Sequence, residues 1–135
     1  MKKILIITHG DLCKGYNSAL EVITTQKDKV DVIGIHPEDN QEVITSKIDN
    51  YIKQNANNSI VILTDIPVGS TTQFSIPFVA TYTNVYLVTG INLALVLELV
   101  LNDSEDNIAQ DIRNAIEESK QTLLFINDQL NDNED

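Results

Sequence analysis

The stretch Ile4-Leu5-Ile6-Ile7-Thr8-His9-Gly10 decides how the rest of the chain is read. In a strand, successive side chains point to opposite faces, so four aliphatic residues in a row leave no face for solvent. Such a run belongs in a strand covered on both sides, the usual condition of a parallel sheet. Residues 30–35, 60–63 and 85–88 are similar short runs rich in Ile and Val. The segments between them have helical spacing. Leu20 and Ile23 follow Asn17-Ser18, which predicts a helix start there. Val43, Ile44, Ile48, Tyr51 and Ile52 predict a second helix, with Glu38 and Asp39 in an acidic first turn. A polar cluster at 55–59 closes it. Strand–helix–strand alternation predicts an α/β fold, an open doubly wound parallel sheet with helices on both faces. Right-handed crossovers leave few strand orders, and ligands bind beyond the carboxyl ends of the strands.

The carboxyl third reads as helix, because Ile108, Ile112 and Ile116 recur every four residues among charged neighbours. Residues 123–126, Leu-Leu-Phe-Ile, fit either an extension of that helix or a short edge strand. The acidic tail 131–135 is expected to fray. No repeat or linker divides the chain, so one domain over 1–135 is expected.

Composition narrows the function classes. With 42% hydrophobic and 21% charged residues the chain is of ordinary globular type. A formal charge of −11 argues against nucleic acid and anionic membranes, and fits either steering toward a basic protein partner or solubility alone. Cys13 is the only cysteine, so no intramolecular disulfide can form, as suits a reducing compartment. The first residues lead into the strand without a signal-peptide pattern. The longest apolar stretch, 91–101, is broken by Asn92 and Glu98 and is shorter than the roughly 20 residues that span a bilayer. A soluble, cytoplasmic protein is the expectation.

Chemistry is sought just after the strands. Thr8-His9-Gly10 ends the first, with Gly10 permitting a sharp turn or close backbone approach to a ligand. Thr64-Asp65 ends the third and leads into Ile66-Pro67-Val68-Gly69-Ser70-Thr71-Thr72. If the two strands are neighbours, Asp65 can accept a hydrogen bond from one ring nitrogen of His9. That would fix the tautomer and leave the other nitrogen as a nucleophile. The Gly-Ser-Thr-Thr loop could supply donors to a phosphoryl group. The plainer alternatives are that His9 is a turn residue and Asp65 a helix cap. His36 reads as structural or surface, and Cys13 as a buried or loop-lining thiol. Glu38, Asp39 and Glu42 read as a solvated helix start rather than a metal site. The chain has no Walker-type loop, so nucleotide binding is not expected.

Thr8-His9-Gly10, Asp65 ahead of Gly69-Ser70, and Thr89-Gly90-Ile91-Asn92-Leu93 ahead of a helix occur in that order along the whole chain. Together they resemble the IIA domain of the mannose/fructose/sorbose family of the phosphoenolpyruvate-dependent sugar phosphotransferase system. The resemblance implies strand order 2-1-3-4 and a phosphotransferase role carried on a phosphohistidine. His9 would take a phosphoryl group from the carrier protein HPr and pass it to a cognate IIB domain serving a membrane sugar permease. Asp65 would hydrogen-bond the His9 ring, and Gly10, Gly69, Ser70 and Asn92 would lie about the phosphoryl group. No metal or cofactor is implied, since the donor already carries an activated phosphoryl group. A homodimer exchanging a carboxyl-terminal strand is also implied, a part that residues 123–126 could play.

The chain departs from the family loop, D-x-x-G-G-S-P-x-N, with Val68, Thr71 and Gln73 at its first Gly, its Pro and its Asn. Val68 disfavours a positive φ, and Thr71 lacks the fixed φ of a proline at a helix start. Pro77 falls where the family helix continues, which predicts a kinked or short helix. Ala94 replaces a common Pro. Two alternatives stay open: a regulatory phospho-acceptor module not coupled to transport, and a hydrolase using His9 with Asp65.

Overall fold

The computed structural model describes residues 2–102, 104 and 106–132. In chain order the elements are β1 (Lys2–His9), α1 (Leu12–Ile23), a single 3-10 turn (Lys27–Lys29), β2 (Val30–Ile35), α2 (Gln41–Gln54) and β3 (Ser59–Thr64). There follow α3 (Ser70–Gln73), α4 (Ile76–Thr81), β4 (Val85–Thr89), α5 (Leu93–Leu101), α6 (Ile108–Lys120) and α7 (Ile126–Asp132). The strands form one sheet of order β2-β1-β3-β4 in which every pairing is parallel. Strand order and fold class are therefore those expected.

Alternation along β1 divides the core in two. Ile4 and Ile6 face one side with Val61 and Leu63, covered by Leu20 of α1, Leu95 and Leu99 of α5 and Ile112 of α6. Leu5 and Ile7 face the other with Ile60 and Ile62, against Ile44, Ile48 and Ile52 of α2 and Phe78 of α4. All four β1 side chains are essentially fully buried, and each such burial is worth about 1.5–3 kcal/mol. The two central strands are thus anchored throughout, and their carboxyl ends are held in fixed relation.

Two helix starts differ from expectation. α1 begins at Leu12, ahead of Asn17-Ser18. Its first turn is capped from the strand: the buried Thr8 Oγ1 accepts the Cys13 N–H at 2.9 Å. Gly10, at φ 58°, turns the chain tightly enough for this. A cap supplied across a turn leaves no Ser or Asn signal immediately before the helix. In α2 the cap is Asn40, whose side chain accepts from Val43 N at 2.9 Å. Glu38 and Asp39 lie in the preceding turn, where Asp39 accepts the His36 N–H.

Pro77 acts as expected, separating α3 from the short α4, in which it stands at the first turn. The carboxyl end differs from both readings of residues 123–126. Thr122 closes α6 by donating its hydroxyl to Ser119 O at 2.7 Å. Residues 123–125 then run irregularly and Ile126 begins α7. Leu123 is 90% exposed and Phe125 66%, and among the described residues they pair with no strand. Residues 131 and 132 form the end of α7, and 133–135 lie outside the described residues.

Gly34, in the interior of β2, has a role not visible in its own strand. A Cβ placed there would meet Gly10 O at 2.5 Å, because the turn after β1 folds back over β2, with Gly10 N donating to Ile35 O. Gly34→Ala must displace a backbone carbonyl, not a side-chain tip. It is expected to cost about 1–3 kcal/mol, read as a lower urea midpoint at unchanged slope.

Candidate functional site

His9 ends β1 and Asp65 follows β3, the neighbouring strand, so sheet order alone brings them together at the carboxyl rim. The Asp65 carboxylate lies under four donors. Its Oδ2 accepts from the His9 backbone N–H and contacts His9 Nδ1, each at 2.9 Å. Its Oδ1 accepts from Ile66 N at 3.0 Å and from the Thr71 hydroxyl at 2.9 Å. Burial on its own would raise the Asp65 pKa, but the bonds from His9 and Thr71 outweigh it and hold the group below its ordinary value. An ionised carboxylate only accepts, so Nδ1 must carry a proton in the neutral imidazole and Nε2 the lone pair. The His9 side chain is 46% exposed and that of Asp65 11%, so an oriented ring stands open to solvent on a largely buried base.

Gly69 closes over the ring. It sits at φ 92°, ψ −174°, a region used almost only by glycine, and a Cβ there would lie 3.1 Å from His9 Nε2. Both the backbone angle and the proximity to the ring call for glycine. Val68 is not in a positive-φ conformation, so the loop takes up its departure from the family pattern without left-handed strain at that residue. The loop is tied down by buried hydroxyls. Thr72 Oγ1 donates to Ile66 O at 2.7 Å, which leaves it to accept from Thr64 and Thr89. Ser75 donates to Thr71 O at 2.7 Å.

Of the other expected residues, Gly10 makes the turn next to His9 and Ser70 opens α3 directly after Gly69. Asn92 stands after β4, where its Oδ1 caps α5 through Leu95 N and its amide approaches Thr122; its hydrogen bonds go to neither His9 nor Asp65. His36, after β2, contacts Asp11 through Nε2 at 2.9 Å, bracing the loop that follows His9. Thr71, expected only as one of the Gly-Ser-Thr-Thr donors to a phosphoryl group, is instead a partner of Asp65. The phenol pKa of Tyr16 in α1 is raised by burial and, to a smaller extent, by the Asp65 charge. A cavity of about 420 Å³ lined by Lys3, Asp31, Lys47 and Tyr51 lies toward the amino-terminal end of β1, away from this chemistry.

An open parallel α/β sheet with an exposed, carboxylate-oriented histidine at its rim is an arrangement suited to group transfer. A family model described as the PTS system fructose IIA component, EIIA-man, matches residues 3–117. The chain belongs to this family of sugar phosphotransferase system components, whose general role is phosphotransfer. Solved structures agree in fold. The mannose/sorbose-specific IIA subunit from Enterococcus faecalis superposes with a TM-score of 0.84 at 19% identity, covering 93% of this chain and 95% of that one. A phosphotransferase system permease structure from Klebsiella pneumoniae gives 0.82 at 21%, over 96% and 93%. The IIA protein associated with the fucose utilization operon of Streptococcus pneumoniae gives 0.78 at 27%, over 96% of each chain. Among the described residues no helix is long and apolar enough to cross a membrane.

Proposed function

We propose that the chain is a cytoplasmic phosphocarrier in which His9 Nε2 takes a phosphoryl group from phospho-HPr and delivers it to a cognate IIB domain. The observation that carries this reading is the double hold of Asp65 Oδ2 on the His9 backbone and Nδ1. It assigns the proton to Nδ1 and leaves Nε2 exposed as the nucleophile. In the transfer, the N–P bond of the donor phosphohistidine breaks as the Nε2–P bond forms. Nδ1 keeps its proton, and the positive charge that grows on the ring is met by Asp65. Protein chemistry beyond positioning is slight, as is usual for a loose phosphoryl transition state. Gly10, Gly69 and Ser70 line the position of the transferred group, and Asn92 bounds it more distantly. In a homodimer, residues 123–126 pair with a second copy, which would cover Leu123, Leu124 and Phe125, exposed in the single chain.

Incubation with phosphoenolpyruvate, the general phosphotransferase enzyme and HPr, followed by peptide mapping, is expected to find one acid-labile phosphate on the peptide holding His9. A phosphate elsewhere, or none, overturns the reading. The altered loop at Val68, Thr71 and Gln73 favours a second reading, a regulatory phospho-acceptor. Loss of the phosphate to a matched IIB, with sugar phosphorylation restored, supports transport; retention in its presence supports regulation.

A further inference from the structure

We infer that Thr71 is a positioning residue for His9, acting through Asp65; this rests on the phosphocarrier reading for its functional consequence but not for its geometry. The two oxygens of Asp65 are held differently. Oδ2 is fixed by the His9 backbone and ring, both from β1. Oδ1 is held by Ile66 N, from the adjoining residue, and by Thr71 Oγ1. The Ile66 bond moves with Asp65 itself, so Thr71 is what ties Oδ1 to a separate element, α3.

Thr71 is well suited to this. It is fully buried, and its carbonyl accepts the Ser75 hydroxyl at 2.7 Å, so its place does not depend on the carboxylate. A hydroxyl has one proton. With that proton given to Oδ1, Thr71 cannot also donate to a phosphoryl group, and its role is separate from that of Ser70. Where the family loop has a proline to set the backbone, this chain has a side chain that reaches the base. Removing the hydroxyl leaves a buried carboxylate oxygen short of a donor. The carboxylate then gains by rotating or by drawing its remaining donors closer, and its alignment on Nδ1 is lost in either case.

Three variants separate this from loop packing. Thr71→Val removes the hydroxyl at nearly constant volume and Thr71→Ser keeps it. Thr72→Val removes the adjacent buried hydroxyl, which anchors the loop but does not touch Asp65. The readout is the pair of ¹⁵N chemical shifts of the His9 ring, which report the tautomer whether or not the protein is ever phosphorylated. Wild type, Thr71→Ser and Thr72→Val are expected to show the Nδ1–H tautomer alone. Thr71→Val is expected to show a clear Nε2–H population, and to accept phosphate from phospho-HPr about tenfold more slowly, with rescue by Ser, as fits one lost hydrogen bond to a charged group. The Nδ1–H tautomer alone in folded Thr71→Val, or the same mixture in Thr72→Val, overturns the inference. If wild type takes no phosphate at all, the phosphocarrier reading fails while the ring spectra still decide the role of Thr71.

Discussion

His9→Gln should accept no phosphate from phospho-HPr at any time point, while its unfolding curve stays close to that of wild type. Both halves follow from how the side chain is placed. Nearly half of it is exposed, and its hydrogen bond is to Asp65. Glutamine keeps an N–H that can reach the carboxylate, and the bond from the backbone of residue 9 is indifferent to the side chain. The stability lost is therefore about 1 kcal/mol or less. The amide nitrogen, however, has its lone pair delocalised into the carbonyl and is no nucleophile. The expected loss is complete rather than partial, and mass spectrometry after incubation with the phosphorylated carrier reads it directly. An acid-labile phosphate on folded His9→Gln would place the acceptor on another residue.

Asp65→Asn is expected to slow phosphoryl acceptance about a hundredfold or more, the range seen when a group that stabilises charge developing in the transition state is removed. The reason is a count of donors. Four converge on the carboxylate: His9 N, His9 Nδ1, Ile66 N and Thr71 Oγ1. Asparagine has one acceptor oxygen and an NH2 that must face two of those donors. If the NH2 faces His9, the ring favours the tautomer protonated at Nε2 and the nucleophilic lone pair is lost. If it faces Thr71, the hydroxyl can turn to accept, but the Ile66 N–H is left without its acceptor and a neutral amide no longer meets the charge growing on the ring. The variant is also expected to be less stable at neutral pH, by about 1–3 kcal/mol for the unsatisfied groups. The sign of the pH dependence follows from the depressed pKa. A carboxylate held below its ordinary value of 3.8 in the folded protein stabilises it fully above that value, and the contribution fades as pH falls through the lower folded value. The gap in stability between wild type and Asp65→Asn should therefore be constant near neutrality and narrow below about pH 4, in urea titrations across that range. A gap that widens with acid would show that Asp65 is not the ionised acceptor described.

Much of the fold was legible because its signals are local. The four runs rich in Ile and Val marked the strands, with β1 and β3 buried on both faces and the edge strand β2 only partly so, and the isoleucines of α6 needed only their spacing. Pro77 broke its helix where a missing N–H must. The boundaries that differed share one cause: the deciding group came from elsewhere. α1 has Asp11 at its cap position, but that side chain makes no capping bond and the Thr8 hydroxyl, across the turn at Gly10, takes the Cys13 N–H instead. Residues 123–125 have the composition of a strand but, among the described residues, pair with neither edge of the sheet.

By itself the sequence determined a parallel α/β sheet with His9 and Asp65 after two of its strands, since buried apolar runs and rim residues are properties of the chain read in order. Only the tertiary structure decided which atoms meet there. Hydrogen bonds are made across strands and loops distant in sequence, and they turn on fractions of an ångström and on which oxygen faces which donor. That is why the two Asp65 oxygens, the Thr71 hydroxyl behind them, and the need for glycine at 34 and 69 became visible only in three dimensions.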